Sequence, residues 1–355
     1  MAKTDIGPPD YKELIPEVVK NNYGKWKYHE QLKPGVLKHV GESGDALYTV
    51  RCGSPKLVSI DFIRDLCDVA DQYCDGHLRF TSRYNPEFLT PKEENIEPII
   101  AAVTKLGLPV GGTGPGISNM VHTQGWIHCH SAATDASGLV KAIMDEMYPY
   151  FVGEKTLPNK LKLSLACCIN MCGAIHATDL AVVGVHTRVP IPDDEKLGSL
   201  CEIPTTLASC PTGAIRRHPD KDINSVTVNA DKCMYCGNCY TVCPAMPIAS
   251  EEGDGVAIYV GGKVADARSA PKFSRLAIPY IPNNPPRWPE VTNALTKIVE
   301  TYAANGRKYE RVGEWIDRIG YERFFDLTGI PFSEHHIDDF KFARTTYRTS
   351  TQFKW

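Results

Sequence analysis

Hydrophobic and polar residues alternate with a period of two over residues 160–165, which predicts a β-strand. Every second residue of this segment is leucine, whereas Lys160 and Lys162 lie on the opposite face. The leucines are therefore expected to face a core, and the lysines suit an anion-binding surface. A solvated strand face is the alternative interpretation of the two lysines.

A second strand with a charged face is predicted over residues 78–83. Arg79 and Arg83 share one face of this strand because side chains alternate along it. A guanidinium group presents a planar set of donors that matches a carboxylate or an oxyanion. A solvent-exposed edge strand explains the same pattern, so the sequence leaves both interpretations open.

The same periodicities predict further elements of both kinds. Strands are predicted over 46–52, 182–189 and 255–264, and helices over 59–74, from between 90 and 95 to 107, over 135–147, over 291–304 and over 310–319. Cys67 and Cys74 fall on the apolar stripe of the 59–74 helix and are predicted to be core thiols.

Three segments lack regular periodicity. Residues 1–40 are predicted to form a surface arm, and residues 190–200, which are rich in proline and charge, a linker. Residues 335–355 are basic and aromatic, and we interpret them as a second arm because exposed aromatic side chains are costly.

The composition excludes several classes of protein. The chain has 355 residues, 43% of them hydrophobic, and its formal net charge is −3. The length predicts more than one domain, and the charge predicts no binding of nucleic acid. Polar residues interrupt the most apolar window, so no membrane span is predicted. The N-terminus has no apolar run and does not resemble a signal peptide.

Thirteen cysteines without a secretion signal favour metal or redox chemistry in a reducing compartment, the cytoplasm, over a disulfide framework. Cys167, Cys168 and Cys172 follow directly after the strand with the lysine face. Three thiolates this close together can bind one iron–sulfur cluster. A cubane cluster needs a fourth ligand, for which Cys129 is the nearest upstream candidate. Buried thiols without a ligand are the alternative.

A run of cysteines with the spacing CxxCxxCxxxCP, the pattern of bacterial ferredoxins, begins at Cys233. Its first three cysteines, Cys233, Cys236 and Cys239, can bind one cubane cluster, and Cys210, which also precedes a proline, completes the set. Cys243 is then left without partners and is predicted not to be a ligand. A zinc site on the same cysteines is the competing interpretation.

A glycine-rich loop, Gly-Gly-Thr-Gly-Pro-Gly, covers residues 111–116. Such a loop lets backbone N–H groups approach an anion closely, which makes Thr113 and Gly114 candidate cofactor-binding residues. The spacing matches neither the phosphate loop of nucleotide hydrolases nor the dinucleotide-binding fingerprint.

In combination, these motifs resemble the beta subunits of dissimilatory sulfite reductases, within the sirohaem sulfite and nitrite reductase family. The resemblance rests on the segments Leu-Arg-Phe-Thr-Ser-Arg, Lys-Leu-Lys and Ala-Cys-Cys-Ile-Asn-Met-Cys-Gly, and on a ferredoxin run inserted between strands. It covers essentially the full chain. It implies an α+β fold of sulfite-reductase-type sheet-and-helix halves with an inserted ferredoxin-like [4Fe–4S] domain.

The resemblance also implies a division into segments. These are an N-terminal arm (1–40), a ferredoxin-like half domain of the sulfite reductase type (41–125), a sirohaem and [4Fe–4S] domain in two parts (126–198 and 253–330), the inserted ferredoxin domain (199–252) and a C-terminal arm (331–355).

The implied activity is the six-electron reduction of sulfite toward sulfide, at a sirohaem coupled to one [4Fe–4S] cluster, with electrons delivered through a second cluster in the ferredoxin domain. The family's ligands of the sirohaem-coupled cluster fall on Cys129, Cys167, Cys168 and Cys172, and those of the ferredoxin cluster on Cys210, Cys233, Cys236 and Cys239. Cys172 would also bridge to the sirohaem iron.

The family's substrate-binding positions fall on Arg83, Lys160 and Lys162, and Arg79 and Arg83 would contact sirohaem carboxylates. Ser118 stands where a second substrate arginine is expected. The implied partners are an alpha subunit in an α2β2 assembly, a small sulfur-carrier protein and an electron donor.

Three alternatives stay open from the sequence. The chain could be a structural and electron-transfer subunit whose own sirohaem site is not catalytic, a position that Ser118 keeps open. It could be a sirohaem nitrite reductase or an assimilatory sulfite reductase. It could also be a ferredoxin-domain adaptor without a tetrapyrrole.

Overall fold

The structure is a computed structural model that describes residues 14–266 and 269–337. The chain divides into two compact units. The first takes its described residues from Met1–Asn119 and Met147–Lys162, and the second from Met120–Glu146 and Leu163–Trp355. Sheet and helix are combined along the chain, in agreement with the predicted α+β class.

The strands of the described ranges are β1 (Trp26–Lys33), β2 (Val36–Gly41), β3 (Ala46–Arg51), β4 (Leu78–Phe80), β5 (Pro86–Thr90), β6 (Ile117–His122), β7 (Leu161–Ala166), β8 (Leu180–Val185), β9 (Ile215–Arg217), β10 (Val226–Val228), β11 (Gly255–Val260) and β12 (Arg275–Pro282). The helices are α1 (Glu17–Asn21), α2 (Ile60–Tyr73), α3 (Ile96–Lys105), α4 (Ala136–Glu146), α5 (Tyr148–Val152), α6 (Asp194–Leu200), α7 (Ile203–Ala208), α8 (Asn238–Val242), α9 (Pro289–Asn305), α10 (Val312–Ile319) and α11 (Tyr321–Thr328).

The sheet of the first unit has the strand order β1-β2-β3-β5-β4, with neighbouring strands antiparallel. The apolar stripes of α2 and α3 contribute Leu66, Val69 and Ile99 to a core that also contains Val50 and Phe88 of the sheet. This is the packing expected of amphipathic helices, which must bury their apolar face against another element.

Residues 26–41 form β1 and β2, although the sequence pattern assigned residues 1–40 to a surface arm. Seven of the eight side chains of β1 are exposed. This strand therefore lacks the alternation of buried and exposed residues by which strands are recognised in a sequence. Residues 1–13 of the predicted arm lie outside the described ranges.

The larger sheet has the strand order β12-β11-β8-β7-β6. β7 runs parallel to β8, whereas β11 is antiparallel to both β8 and β12. β8 and β11 are buried along almost their whole length, as expected of central strands. In the second unit α4 packs on α9, and Leu139, Ile143, Leu295 and Ile298 of these helices are buried.

A small insertion separates β8 from β11. It contains α6, α7, α8 and the two-stranded sheet of β9 and β10, and its own core includes Leu197, Ile203, Ile215, Val226 and Met246. The chain then returns to the sheet, where β11 pairs with β8. Residues 194–200 form α6 rather than the predicted linker, because Asp193 caps the helix by accepting a hydrogen bond from the Lys196 N–H.

Most other predicted elements are observed, but the sequence pattern does not indicate β12 or α11. Cys74 is buried as predicted, whereas Cys67 is exposed and the prediction of a core thiol is wrong there. Of the second predicted arm, residues 338–355 lie outside the described ranges. Among the helices that are described, none combines the length and the apolar character needed to cross a lipid bilayer.

Candidate functional site

The four cysteines singled out in the insertion line one small cavity. Cys210 follows α7, Cys233 follows a short 3-10 turn, and Cys236 and Cys239 flank the start of α8. Gly237, at the N-cap of α8, has φ +73°, a left-handed conformation that lets the chain reverse between the last two thiols. The rest of the lining is largely apolar and includes Met234, Ile215, Val228 and Ile248.

Burial and hydrogen bonding affect the pKa values of these four thiols differently. Burial raises the pKa of Cys239 to about 12, and it also raises the pKa values of Cys233 and Cys236. Cys210 differs from these three. Burial acts to raise its pKa, but hydrogen bonds from Thr212 and from backbone N–H groups outweigh burial and lower it. The Ala214 N–H donates to the Cys210 sulfur at 3.1 Å. A donor set of four thiols in a small apolar cavity therefore fits an iron–sulfur cluster, which would stabilise the thiolate forms.

Cys243 is not among the residues that line this cavity. It is buried and forms a disulfide with Cys201, with a Cα–Cα distance of 5.7 Å. This arrangement agrees with the expectation that Cys243 is not a ligand. The sequence predicts no disulfide framework, and among the described residues Cys201–Cys243 is a single bridge beside eleven free cysteines.

The second group of cysteines lies in the second unit where β7 ends. Cys167 directly follows β7, and its backbone carbonyl accepts a hydrogen bond from the Ala133 N–H at 2.7 Å. This bond attaches the loop that carries Cys129 to the end of β7. A Cβ atom on Gly184 of β8 would lie 2.1 Å from the Cys167 oxygen, so only glycine permits this close approach.

The thiols of this group lie close enough together to shift one another's pKa values. A hydrogen bond from the Cys168 thiol lowers the pKa of Cys167 to about 5, and Thr123 and Cys129 act in the same direction. The same interaction with Cys167 raises the pKa of Cys168. Cys172 is exposed, and Met171 before it has a left-handed φ of +51°. The structure thus brings Cys129, Cys167 and Cys168 together and leaves Cys172 on the exposed side of the loop.

The two arginines lie in the first unit but do not share a strand face. β4 ends at Phe80, and Arg83 lies in the following turn, so that prediction is wrong. Tyr84 in this turn has a left-handed φ of +64°, which directs the chain out of the extended conformation.

Arg79 pairs with the fully buried carboxylate of Glu87 on β5. Arg51 binds the same carboxylate from β3, with Nε donating to Oε1 at 2.6 Å. Arg51 also donates from Nη1 to the carbonyl of Gly112 at 2.6 Å. This network supports the glycine-rich loop. Sequence reasoning missed Arg51 and Glu87, because their pairing depends on strand register.

The candidate residues of the glycine-rich loop have different surroundings. Thr113 accepts a hydrogen bond from the Gly35 N–H at 2.8 Å, so its hydroxyl supports the loop. Gly114 has φ +73°, and a Cβ atom there would lie 2.1 Å from the side-chain oxygen of Gln31. Lys160 is exposed just before β7, and Lys162 is half-buried on β7.

An unpartnered polar atom lies in the same unit. Asn119 donates from Nδ2 to the Asn85 side-chain oxygen at 2.9 Å and to the Ser54 carbonyl at 3.0 Å. Among the described residues, the Nδ2 atom of Asn85 is buried without a hydrogen-bond partner. Such donors are rare in folded proteins, so this amide is available to an acceptor on a bound group.

Comparison with known proteins gives matches over both halves of the chain. Residues 39–106 match the nitrite and sulfite reductase ferredoxin-like half domain, and residues 113–336 match the nitrite and sulfite reductase 4Fe–4S domain. The beta subunit of the dissimilatory-type sulfite reductase of Archaeoglobus fulgidus is 54% identical over 364 aligned residues, covering 100% of this chain and 99% of that protein. The chain belongs to the beta-subunit family of dissimilatory sulfite reductases.

Two further similarities place this sulfite reductase subunit within its family. The alpha subunit of the Allochromatium vinosum dissimilatory sulfite reductase is 27% identical over 319 residues, covering 83% of this chain and 74% of that protein. The crystal structure of dissimilatory sulfite reductase I matches with a TM-score of 0.79 at 21% identity, covering 91% of this chain and 81% of that one. The predicted family, fold class and oxidoreductase activity are thereby confirmed.

Proposed function

We propose that this subunit takes part in the six-electron reduction of sulfite toward sulfide, at a sirohaem coupled to one [4Fe–4S] cluster, with electrons supplied through a second cluster in the insertion. The observation that carries the proposal is that the two cysteine groups lie in one unit and their loops touch. His130, next to Cys129, and Tyr240, next to Cys239, have ring centroids 4.9 Å apart. Six electrons cannot be stored at one iron, so adjacent clusters suit stepwise delivery.

The cysteines hold the proposed cofactors. Cys210, Cys233, Cys236 and Cys239 bind the insertion's cluster inside the cavity that they line. Cys129, Cys167, Cys168 and Cys172 bind the other cluster, and the exposed Cys172 is the residue able to reach a further metal. The match to a 4Fe–4S domain family favours iron–sulfur over zinc at these thiols.

Basic residues of the first unit bind the anionic groups that take part in the reaction. When bound, sirohaem supplies the iron on which the sulfur of sulfite is reduced. We assign Arg83, Lys160 and Lys162 to binding the anionic substrate, and the two lysines to supplying protons as S–O bonds break. Arg79, Arg83 and the loop at Thr113 and Gly114 bind the carboxylates of the tetrapyrrole. The unpartnered Asn85 amide adds one buried donor of the kind that such a group needs.

The proposed assembly follows from the relatives. Because the chain is similar to both beta and alpha subunits, we propose an α2β2 complex with an alpha subunit. A small sulfur-carrier protein and an electron donor complete the system. The thiols that bind clusters must stay reduced until assembly, which favours the cytoplasm.

A second candidate function rests on Ser118. This residue is half-buried on β6 at the position where a second substrate arginine is expected. Without that cation the sirohaem of this chain can be a structural group, with catalysis carried by the partner subunit. The remaining charges of this chain would then orient the tetrapyrrole only.

Iron and tetrapyrrole analysis of the purified native complex tests the proposal. We expect sirohaem together with iron for two cubane clusters per chain. Cys172→Ser should lose the magnetic coupling between haem and cluster while the insertion's cluster survives. Cys67→Ser, which changes an exposed thiol on α2, should leave both signals unchanged. Iron for one cluster and no tetrapyrrole would refute the proposal in favour of an electron-transfer adaptor.

A further inference from the structure

A buried histidine lies at the base of the insertion. His186 directly follows β8 and Asp254 directly precedes β11, so the pair stands where the chain leaves the sheet and where it returns. Nδ1 of His186 is 2.8 Å from the Asp254 carboxylate, and the two side chains are 0% and 3% exposed. The carboxylate also accepts from the Thr187 N–H at 3.2 Å and the Ser250 N–H at 3.0 Å. We call residues 186–188 and 248–254, where the chain leaves and re-enters the sheet, the neck of the insertion. The carboxylate of Asp254 thus joins the two segments of this neck.

The other ring nitrogen of His186 reaches the first cluster loop. Nε2 is 3.0 Å from the backbone carbonyl of Ser131, two residues after Cys129. The ring is therefore held at both nitrogens, by the carboxylate on one side and by the carbonyl on the other. The histidine thus connects the neck of the insertion to the loop that carries Cys129.

The second cluster loop lies next to the same ring. A Cβ atom on Gly237 would lie 3.8 Å from Nε2 of His186 and 3.9 Å from Cβ of Ser131, both ordinary van der Waals distances. Gly237, between Cys236 and Cys239, therefore faces both residues across a gap of about one methyl group. His186 binds the loop that carries Cys129 and lies beside the loop that carries Cys236 and Cys239, and it belongs to neither.

Neighbouring contacts hold the first loop and the neck in place. Asn283 donates from Nδ2 to the Ala133 carbonyl at 2.7 Å and to the Asp254 carbonyl at 3.1 Å. Arg188 donates from Nε to the Ile248 carbonyl at 3.1 Å, on the segment that leads back to the sheet. Asn283 and His186 thus both join the neck to the loop that carries Cys129, and His186 is the one of the two that lies beside Gly237.

We propose that His186, oriented by Asp254, is a positioning residue that sets the separation of the two cluster-binding loops and so the rate of electron transfer between them. The inference rests on the proposed function. In the transfer, the cluster held in the insertion loses one electron and the cluster held by the Cys129 group gains it. His186 forms no covalent bond and transfers no proton in this step. Its role is to hold the two loops at a fixed separation.

The test uses the intact complex with His186→Gln and Asp254→Asn in this chain. Glutamine cannot reach both Asp254 and Ser131, and asparagine keeps the size of Asp254 but removes the charge that orients the ring. His218→Gln is the matched control, because this histidine also belongs to the insertion and its hydrogen bonds are to the backbone of Asp220. Iron content, the electron paramagnetic resonance signal of each reduced cluster and their mutual magnetic interaction are measured.

We expect both variants to retain iron and both individual cluster signals. The magnetic interaction should weaken and the transfer rate after rapid reduction should fall, because a shift of about an ångström is enough to misplace a preorganised site. The His218→Gln variant should show the same magnetic interaction and the same transfer rate as the wild-type complex. If His186→Gln loses a cluster, that variant cannot report on the separation of the loops. The same measurements on Asp254→Asn then test the inference.

An unchanged interaction and an unchanged transfer rate in variants with full iron content would overturn the inference. Failure of the proposed function would give a different result, because the wild-type complex itself would then lack one of the two cluster signals. The two failures are therefore distinguishable in the same set of samples.

Discussion

At the scale of single residues, cysteines that belong to the same sequence motif have different environments in the structure. Cys239 and Cys243 are four residues apart in the ferredoxin run, yet one lines the cavity and the other forms a disulfide. The short spacings of the run place the first thiols on one loop. The residue before the proline is carried into the core of the insertion, where Cys201 meets it.

Replacing these two cysteines should separate the two roles. Cys243→Ser should keep the insertion's cluster but lower the stability of the insertion by about 4 kcal/mol, the loop-entropy value for a disulfide that joins residues this far apart in the chain. Cys239→Ser should lose the cluster. Iron content and thermal unfolding of the two variants are the measurements. Loss of the cluster signal in Cys243→Ser would show that this cysteine is a ligand.

At the scale of elements, the position of the second cysteine group depends on how strands β7 and β8 pack. The two strands are parallel neighbours, and Cys167 continues from the end of β7 beside Gly184 of β8. A side chain at that glycine would meet the backbone of Cys167, which cannot move without shifting the cluster loop. A strand glycine at this point thus serves a close approach of two backbones.

Gly184→Ala should therefore displace the Cys167 loop. We expect a loss of about 2 kcal/mol or more in the free energy of unfolding, as for other overpacked sites, together with loss of the cluster held by Cys167. Val185→Ala, a truncation at a half-buried neighbour on the same strand, should keep that cluster. The measurements are chemical denaturation and the cluster's visible absorption. A fully loaded Gly184→Ala protein would show that the backbone can relax there.

At the scale of the whole molecule, charged pairs join distant parts of the second unit. Arg311, at the start of α10, binds Asp179, just before β8, with Nε donating to Oδ1 at 2.9 Å. Glu314 accepts from the Arg311 N–H at 2.8 Å and from Lys263 at 2.6 Å. Removing one partner of a buried pair leaves an uncompensated charge, so these contacts resist separation of the helices from the sheet.

Glu314 and the neighbouring Glu310, which pairs with Arg318, predict a dependence of stability on pH. Hydrogen bonds from Arg318 lower the pKa of Glu310, and, although burial opposes it, bonds from Arg311 and Lys263 lower the pKa of Glu314. Because the folded-state values lie below the ordinary 4.5, their contribution is present above about pH 4.5 and is lost as the pH falls through the folded-state values.

Thermal unfolding followed from neutral pH downward should show the midpoint falling in this acidic range. The double variant Glu310→Gln, Glu314→Gln should be less stable at neutral pH and should show a flatter pH profile. Glu322→Gln, at an exposed position of α11, is the control and should keep the original profile. A double variant with an unchanged slope would contradict this assignment.

The sequence by itself determined the features that depend on local spacing. Alternation predicts β7, helical periodicity predicts α2, α4 and α9, and these elements are observed. The spacing of the ferredoxin run also predicts that its first three cysteines come together, and they line one cavity. Such predictions depend on the geometry of a strand, a helix or a short cysteine loop, which is set by residues a few positions apart.

Only the tertiary structure decided the features that depend on distant residues. Arg83 lies in a turn and not on a strand, Cys67 is exposed while Cys74 is buried, and His186 meets an aspartate 68 positions away. Such contacts are created when strand register and loop closure bring remote segments together. No pattern within one segment encodes them, which is why the residues that position this site appear only once the chain is folded.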